Sequence, residues 1–214
     1  MLASWGDGIG WVWAVAVAPD GSWLVTASAE GAQIWDTASG EQRLNLGRWK
    51  EGMDDVAVAP DGSWLVTAGQ FGQVKIWDAA TGEQRIELHG TGLVKHVAVA
   101  PDGSWVVTTG YDGVRIWDAA TGVPLPWTAL GHRAHDVTKV AVAPDGTRLA
   151  TVSGDGSVWI WDAVCGRAVG MTRIEHAGLS CAWGPIGQTL FVGGKSGLYS
   201  FAFRNPGRSS SDRP

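Results

Sequence analysis

Three clusters in this sequence carry residue types that catalysis or ligand capture would need. Gly193-Gly194-Lys195-Ser196 looks like the end of a phosphate-cradling loop. Such a loop requires a glycine five residues before Gly194, and Thr189 stands there. The segment also lies between two strand-like runs, with no helix N-terminus to hold an anion, so a phosphate site is rejected. His132, His135 and Asp136 form a His-x-x-His-Asp cluster whose donors suit a metal ion. No cysteine stands near it, and a solvated loop is the expected reading; no metal site is assigned. Asp54 and Asp55 are adjacent carboxylates, whereas glycoside hydrolysis needs two that converge. Neighbours on a strand point to opposite faces. Gly-x-Ser-x-Gly is absent, and no Ser-His-Asp or Cys-His set can be placed. Neither an enzyme nor a bound cofactor is expected.

The elements that position these residues follow from repetition. VAVAPDGSWLVTA occupies residues 15–27 and returns unchanged at 56–68. Looser copies begin at Val97 and Val140. The prolines of this phrase are Pro19, Pro60, Pro101, Pro144 and Pro185, spaced 41, 41, 43 and 41 residues apart. A second phrase recurs with it, ending in Trp-Asp at Asp36, Asp78, Asp118 and Asp162, with a decayed copy near Phe201. Repeats of about forty residues mark solenoids, propellers or arrays. Within one unit, residues 56–59, 64–68, 74–77 and 84–88 are short β runs separated by turn signals. In Ala-Pro-Asp-Gly, proline fixes φ and glycine accepts the left-handed conformation. Alternation sends Leu65 and Thr67 to one face of the unit, and Trp64, Val66 and Ala68 to the other. A four-stranded unit with two apolar faces cannot bury both alone. Face-to-face stacking of like units around an axis buries them, so the expected fold is all-β, a propeller of four-stranded antiparallel blades.

With Ile-Trp-Asp closing each third strand, and Asp-Gly in the preceding turn at Asp112-Gly113 and Asp155-Gly156, the chain resembles the WD40-repeat propeller family. The resemblance runs from Trp11 to Phe203. The wording is similar to bacterial WD arrays, often attached to STAND-type regulatory NTPase modules. It implies a hydrogen-bond network in each blade, matched by Thr108, Asp112 and Trp117 and by Thr151, Asp155 and Trp161, with Trp35 and Trp77 in the tryptophan place of the first two blades. Glu30, Phe71 and Ser196 stand at the aspartate position elsewhere, and Val192 replaces the threonine of the fifth unit. Those blades are expected to rely on packing.

The expected blades cover residues 11–47, 54–89, 94–131, 137–174 and 178–203, with residues 204–214 a disordered tail. The fifth unit lacks a fourth strand. Residues 1–5 are expected to supply it and close the ring, because open sheet edges invite aggregation. The competing arrangement is a fragment of a longer regulatory protein, or an arc completed by other copies as a homo-oligomer.

Hydrophobic residues make up 45% of the 214, and charged residues 17%, which fits a folded chain. A net charge of −5 argues against nucleic acid as a partner. No apolar run reaches membrane-spanning length, and no leader pattern opens the chain, so a cytoplasmic protein without membrane association is expected. Cys165 and Cys181 are expected to be unpaired buried thiols. Of the 14 tryptophans, the recurring ones read as packing. Packing is also the expectation for most of Trp11, Trp13, Trp49, Trp127, Trp159 and Trp183, which do not recur.

What every blade shares makes a blade, and what differs is free for recognition. One rim repeats the Ala-Pro-Asp-Gly and Asp-Ala-Ala-Thr-Gly loops. The opposite rim varies, and it is expected to bind a protein or peptide. Trp49, Phe71, Tyr111, Arg133 and Lys195 are its leading candidates, with Lys50 and His135 behind them, since aromatics and arginine dominate binding hot spots on loops of rigid scaffolds.

Overall fold

Strand alternation and glycine punctuation set the local structure. The computed structural model describes residues 9–47, 52–89, 92–111, 113–126 and 136–203. The first sheet runs in chain order through β1 (Val12–Val17), β2 (Trp23–Ser28), β3 (Gly31–Asp36) and β4 (Gln42–Asn45). The second is β5 (Met53–Val58), β6 (Trp64–Gly69), β7 (Gln73–Asp78) and β8 (Gln84–Leu88), with a short 3₁₀ turn, η1 (Gln70–Gly72), between β6 and β7. The third comprises β9 (Val94–Val99), β10 (Trp105–Gly110) and β11 (Gly113–Asp118), extended by a bridge between Trp117 and Pro124. The fourth contains β12 (Val137–Val142), β13 (Arg148–Ser153), β14 (Ser157–Asp162) and β15 (Ala168–Arg173). The fifth has three described strands, β16 (Gly178–Trp183), β17 (Thr189–Gly194) and β18 (Gly197–Ala202). All pairings within these sheets are antiparallel.

The turn chemistry is as the sequence predicts. Gly62 has φ of 70° and donates its N–H to Ala59 at 2.9 Å, so Ala-Pro-Asp-Gly closes as a tight turn. Asp61 then caps the next residue by accepting the Ser63 N–H at 3.0 Å.

Alternation produces two faces, and each junction buries one face from each of two sheets. Val25, Ala27 and Ile34 of blade one pack with Val56, Leu65 and Trp77 of blade two. Val66, Ala68 and Ile76 of blade two then meet Val97, Val106 and Trp117 of blade three. The same arrangement joins blade three to four and blade four to five. The first strands follow one another along the inside, β1 beside β5, then β9, β12 and β16.

The ring expected from the sequence does not close. Val15 and Val17 at the start, and Phe191 and Leu198 at the end, are exposed, so blade one does not cover blade five. Each sheet turns one face back and one forward, and an open stack leaves one of each bare. Residues 1–5 and 204–214 lie outside the described residues. Cys165 is exposed in the loop after β14, which corrects the expectation of two buried thiols; Cys181 is buried, and both are free.

Candidate partner-binding rim

The monotonous rim uses its polar groups on itself. Asp36 Oδ1 accepts the N–H groups of Ala38 and Ser39, at 2.9 and 2.8 Å. Asp78, Asp118 and Asp162 repeat this two-bond cap in their own loops. Arg43 pairs with Asp36, and Arg85 with Asp78 at 2.5 Å. The Arg43 guanidinium, with the Ser39 N–H behind it, holds Asp36 far below the carboxylate range. Arg85 brings Asp78 down to about 2. These carboxylates are therefore engaged in turn closure, as their repetition implies.

Behind the turns, a buried bond recurs in four blades. The indole N–H of Trp35 donates to Thr26, Trp77 to Thr67, Trp117 to Thr108 and Trp161 to Thr151, at 2.8 to 3.0 Å. The resemblance implied this for blades three and four; it persists in blades one and two, where Glu30 and Phe71 stand at the aspartate position. Asp155 accepts from Ser157 at 2.9 Å and from Arg173 at 3.0 Å. Asp112 lies outside the described residues. In blade five both partners change together, to Val192 and Phe201, which leaves no buried donor unpaired.

On the variable rim, Phe71 is exposed at the centre of η1 with φ of 67°, a left-handed conformation unusual for an aromatic residue. Tyr111 is exposed in the turn between β10 and β11. Lys95 of β9 sits 4.3 Å above its ring and pairs with Asp136, ahead of β12, at 2.5 Å. The Asp136 hydrogen bond raises the pKa of Lys95. Because η1 lies against β9, Phe71 and the Tyr111–Lys95–Asp136 group share one stretch of rim across blades two to four. Lys195 is exposed on blade five, next to Ser196, whose hydroxyl is 2.6 Å from His176 Nδ1. It is not brought together with the others. Trp49, Lys50, Arg133 and His135 fall outside the described residues, as do Trp127 and His132.

The packing expectation for the non-recurring tryptophans is corrected at Trp11, which is 80% exposed. Trp13 is half exposed, its ring 3.0 Å from where a Cβ on Gly52, just ahead of β5, would stand. Trp159 stacks on Trp161 at 5.5 Å, and Trp183 contacts Phe203 at 5.3 Å and donates to the Ala141 carbonyl.

Sequence reasoning missed the start of each inner strand. A register shift recurs there in all five sheets, between Val12 and Ala14, Met53 and Asp55, Val94 and His96, Val137 and Lys139, and Gly178 and Ser180. Bulges re-aim side chains, so simple alternation does not hold for Asp54 and Asp55. Asp55 is buried and crosses to blade three, where it pairs with His96 and accepts the Val97 N–H at 2.9 Å. His96 in turn reaches the Val140 carbonyl of blade four at 3.2 Å, and Lys139 Nζ stands 3.1 Å from its Nδ1. Asp55, His96 and Lys139 hold the same repeat position in three consecutive blades. Asp55 and His96 satisfy backbone groups of the next blade's inner strand, and Lys139 stands behind the His96 ring. Reading down the two columns before each Val-Ala-Val phrase would have revealed them. Among the described residues, no group of three or more His, Cys, Asp or Glu could hold a metal ion.

The model of the WD domain, G-beta repeat, matches residues 6–36, 46–78, 82–118 and 126–162. These cover more than half of the chain, which therefore belongs to the WD repeat family. The five stacked sheets are its blades, and the fifth lies beyond the last matched segment. The chain is also similar to Protein tipD of Dictyostelium discoideum, with 42% identity over 53 residues. That match spans 23% of this chain and 9% of the relative. No described helix is long and apolar enough to cross a membrane.

Proposed function

We propose that the chain is a non-catalytic scaffold that binds a protein or peptide on its variable rim, as the sensing part of a cytoplasmic regulator. WD repeats typically mediate protein interactions, and the contrast between the two rims supports the same role here. The carrying observation is Phe71, an exposed aromatic ring held at positive φ on the same stretch of rim as exposed Tyr111 and the half-buried Lys95–Asp136 pair. An uncommon backbone conformation at an exposed ring points to function rather than packing. An aromatic pair flanked by one cation and one carboxylate suits a peptide with an apolar anchor and a charged neighbour.

Selection from a random peptide library displayed on phage tests this. The wild-type chain is expected to enrich a common motif, and Phe71→Ala/Tyr111→Ala to lose it with an unchanged melting temperature. Enrichment of the same motif by both proteins would place binding elsewhere. Trp49→Ala/Tyr111→Ala, read in the same way, extends the test to the loop before β5.

A further inference from the structure

The two bare ends of the arc are the two halves of a junction that the chain builds four times internally. Residues 15–27 and 56–68 are identical, yet Val15 is 56% exposed and Val56 only 5%. Val97 and Val140, in the same repeat position, are buried as well. What covers Val56 is the forward face of blade one. At the other end, Leu198 is 76% exposed, while its counterpart Val158 is fully buried against blade five. The turns show the same pattern. A Cβ on Gly62 would lie 3.4 Å from Pro19 of the preceding blade, and one on Gly103, Gly146 or Gly187 would lie 3.7 Å from the corresponding proline. Gly21 has nothing within 4 Å.

We propose that a second copy of this chain seats the forward face of its fifth blade on the backward face of blade one. The exposed surfaces are opposite halves of one junction, so each copy supplies what the other lacks. A foreign partner would have to carry both halves to cover both ends. The substitutions on the fifth blade offset one another in volume. Phe191 and Leu198 are larger than Val25 and Ala32 of blade one, whereas Gly193 and Ser200 are smaller than Ala27 and Ile34. Such a contact is head-to-tail, with a different surface contributed by each copy. It is independent of the variable rim.

Sedimentation equilibrium of the 214-residue chain tests this with two variants, Val15→Arg and Leu198→Arg. Both positions are exposed, so circular dichroism should match the wild type, with any lower melting temperature only what the loss of association removes; Val17→Arg, on the same face, replaces Val15→Arg if that variant does not fold. The wild-type mass is expected to rise with concentration, and each variant alone to stay at single-copy mass. An equimolar mixture should form a pair and nothing larger, because one variant keeps a working tail and the other a working head. The proposal is overturned by a wild-type chain that stays at single-copy mass. It is equally overturned by self-association of either variant alone, or by a mixture that forms no pair.

Discussion

At the residue scale, the Trp–Thr bonds show how the repeats hold their interiors. Thr151 is buried, and its hydroxyl accepts the Trp161 indole N–H at 2.9 Å. Thr151→Val keeps the shape and strands the donor, at a cost of roughly 1–3 kcal/mol in urea unfolding. Val192→Thr in blade five should cost a similar ~1–3 kcal/mol for the opposite reason, since Phe201 has no donor to offer the new hydroxyl. Equal stability of either variant and the wild type would contradict this account. These positions were legible in the sequence because a threonine recurs nine or ten residues before the tryptophan of each Trp-Asp pair. Cysteine reactivity is a second residue-scale outcome. Burial pushes the Cys181 thiol up to about 12, while Cys165 is exposed. Iodoacetamide should label Cys165 in the native protein and Cys181 only on unfolding, as read by intact mass.

At the scale of elements, the strands and turns were visible from period and turn chemistry, but the bulges were not. Strand β5 begins at Met53, earlier than the Val56 read from the repeat. The residues before Val-Ala-Val differ in every blade, so no repeated phrase announced them. Their conformation is fixed by what faces them across the hairpin. Gly110 is the clearest case. A Cβ there would fall 1.8 Å from the Leu93 carbonyl oxygen, which accepts the Tyr111 N–H at 3.2 Å. Gly110→Ala must push that backbone away and disturb the Tyr111 turn with it. Destabilisation of about 1–3 kcal/mol is expected, together with loss of the peptide motif bound by the wild type. A variant that keeps full stability and binding would show that the hairpin yields without consequence. The aromatic residues of the rim were legible for the same reason that the bulges were hidden. A non-recurring Phe71 or Tyr111 stands out within a repeated turn, whereas Asp55, His96 and Lys139 are linked only across three blades.

At the scale of the molecule, the repetition of capped carboxylates makes acid sensitivity cumulative. Asp20, Asp61 and Asp102 lie below the usual 3.8, each chiefly through the N–H of the serine two residues on. The loop aspartates after the tryptophans are lowered as well, Asp78 to about 2 through Arg85. A depressed folded pKa stabilises the native state above the unfolded value and loses that contribution as pH falls through the folded one. Stability should therefore hold above pH 3.8 and fall progressively towards pH 2. Urea unfolding at stepped pH would show it, with a smaller drop at high salt because these groups are exposed. Stability unchanged across that window would mean that the caps add nothing. Repetition made the propeller-type stack legible from sequence. Closure was not, because the same phrases fit an open row and a ring equally well.

Two word-for-word hairpins in different surroundings also bear on how the chain reaches its native state. Nothing in residues 15–27 distinguishes them from 56–68 as a docking partner for the strands that follow. During refolding, either segment fits the place of the other, with a displaced stretch looped out. Such mispairing must be undone before the last sheet settles, so refolding should show a slow minority phase. Making one of the two phrases unlike the other, by exchanging alanine and valine at solvent-facing sites, should shrink it.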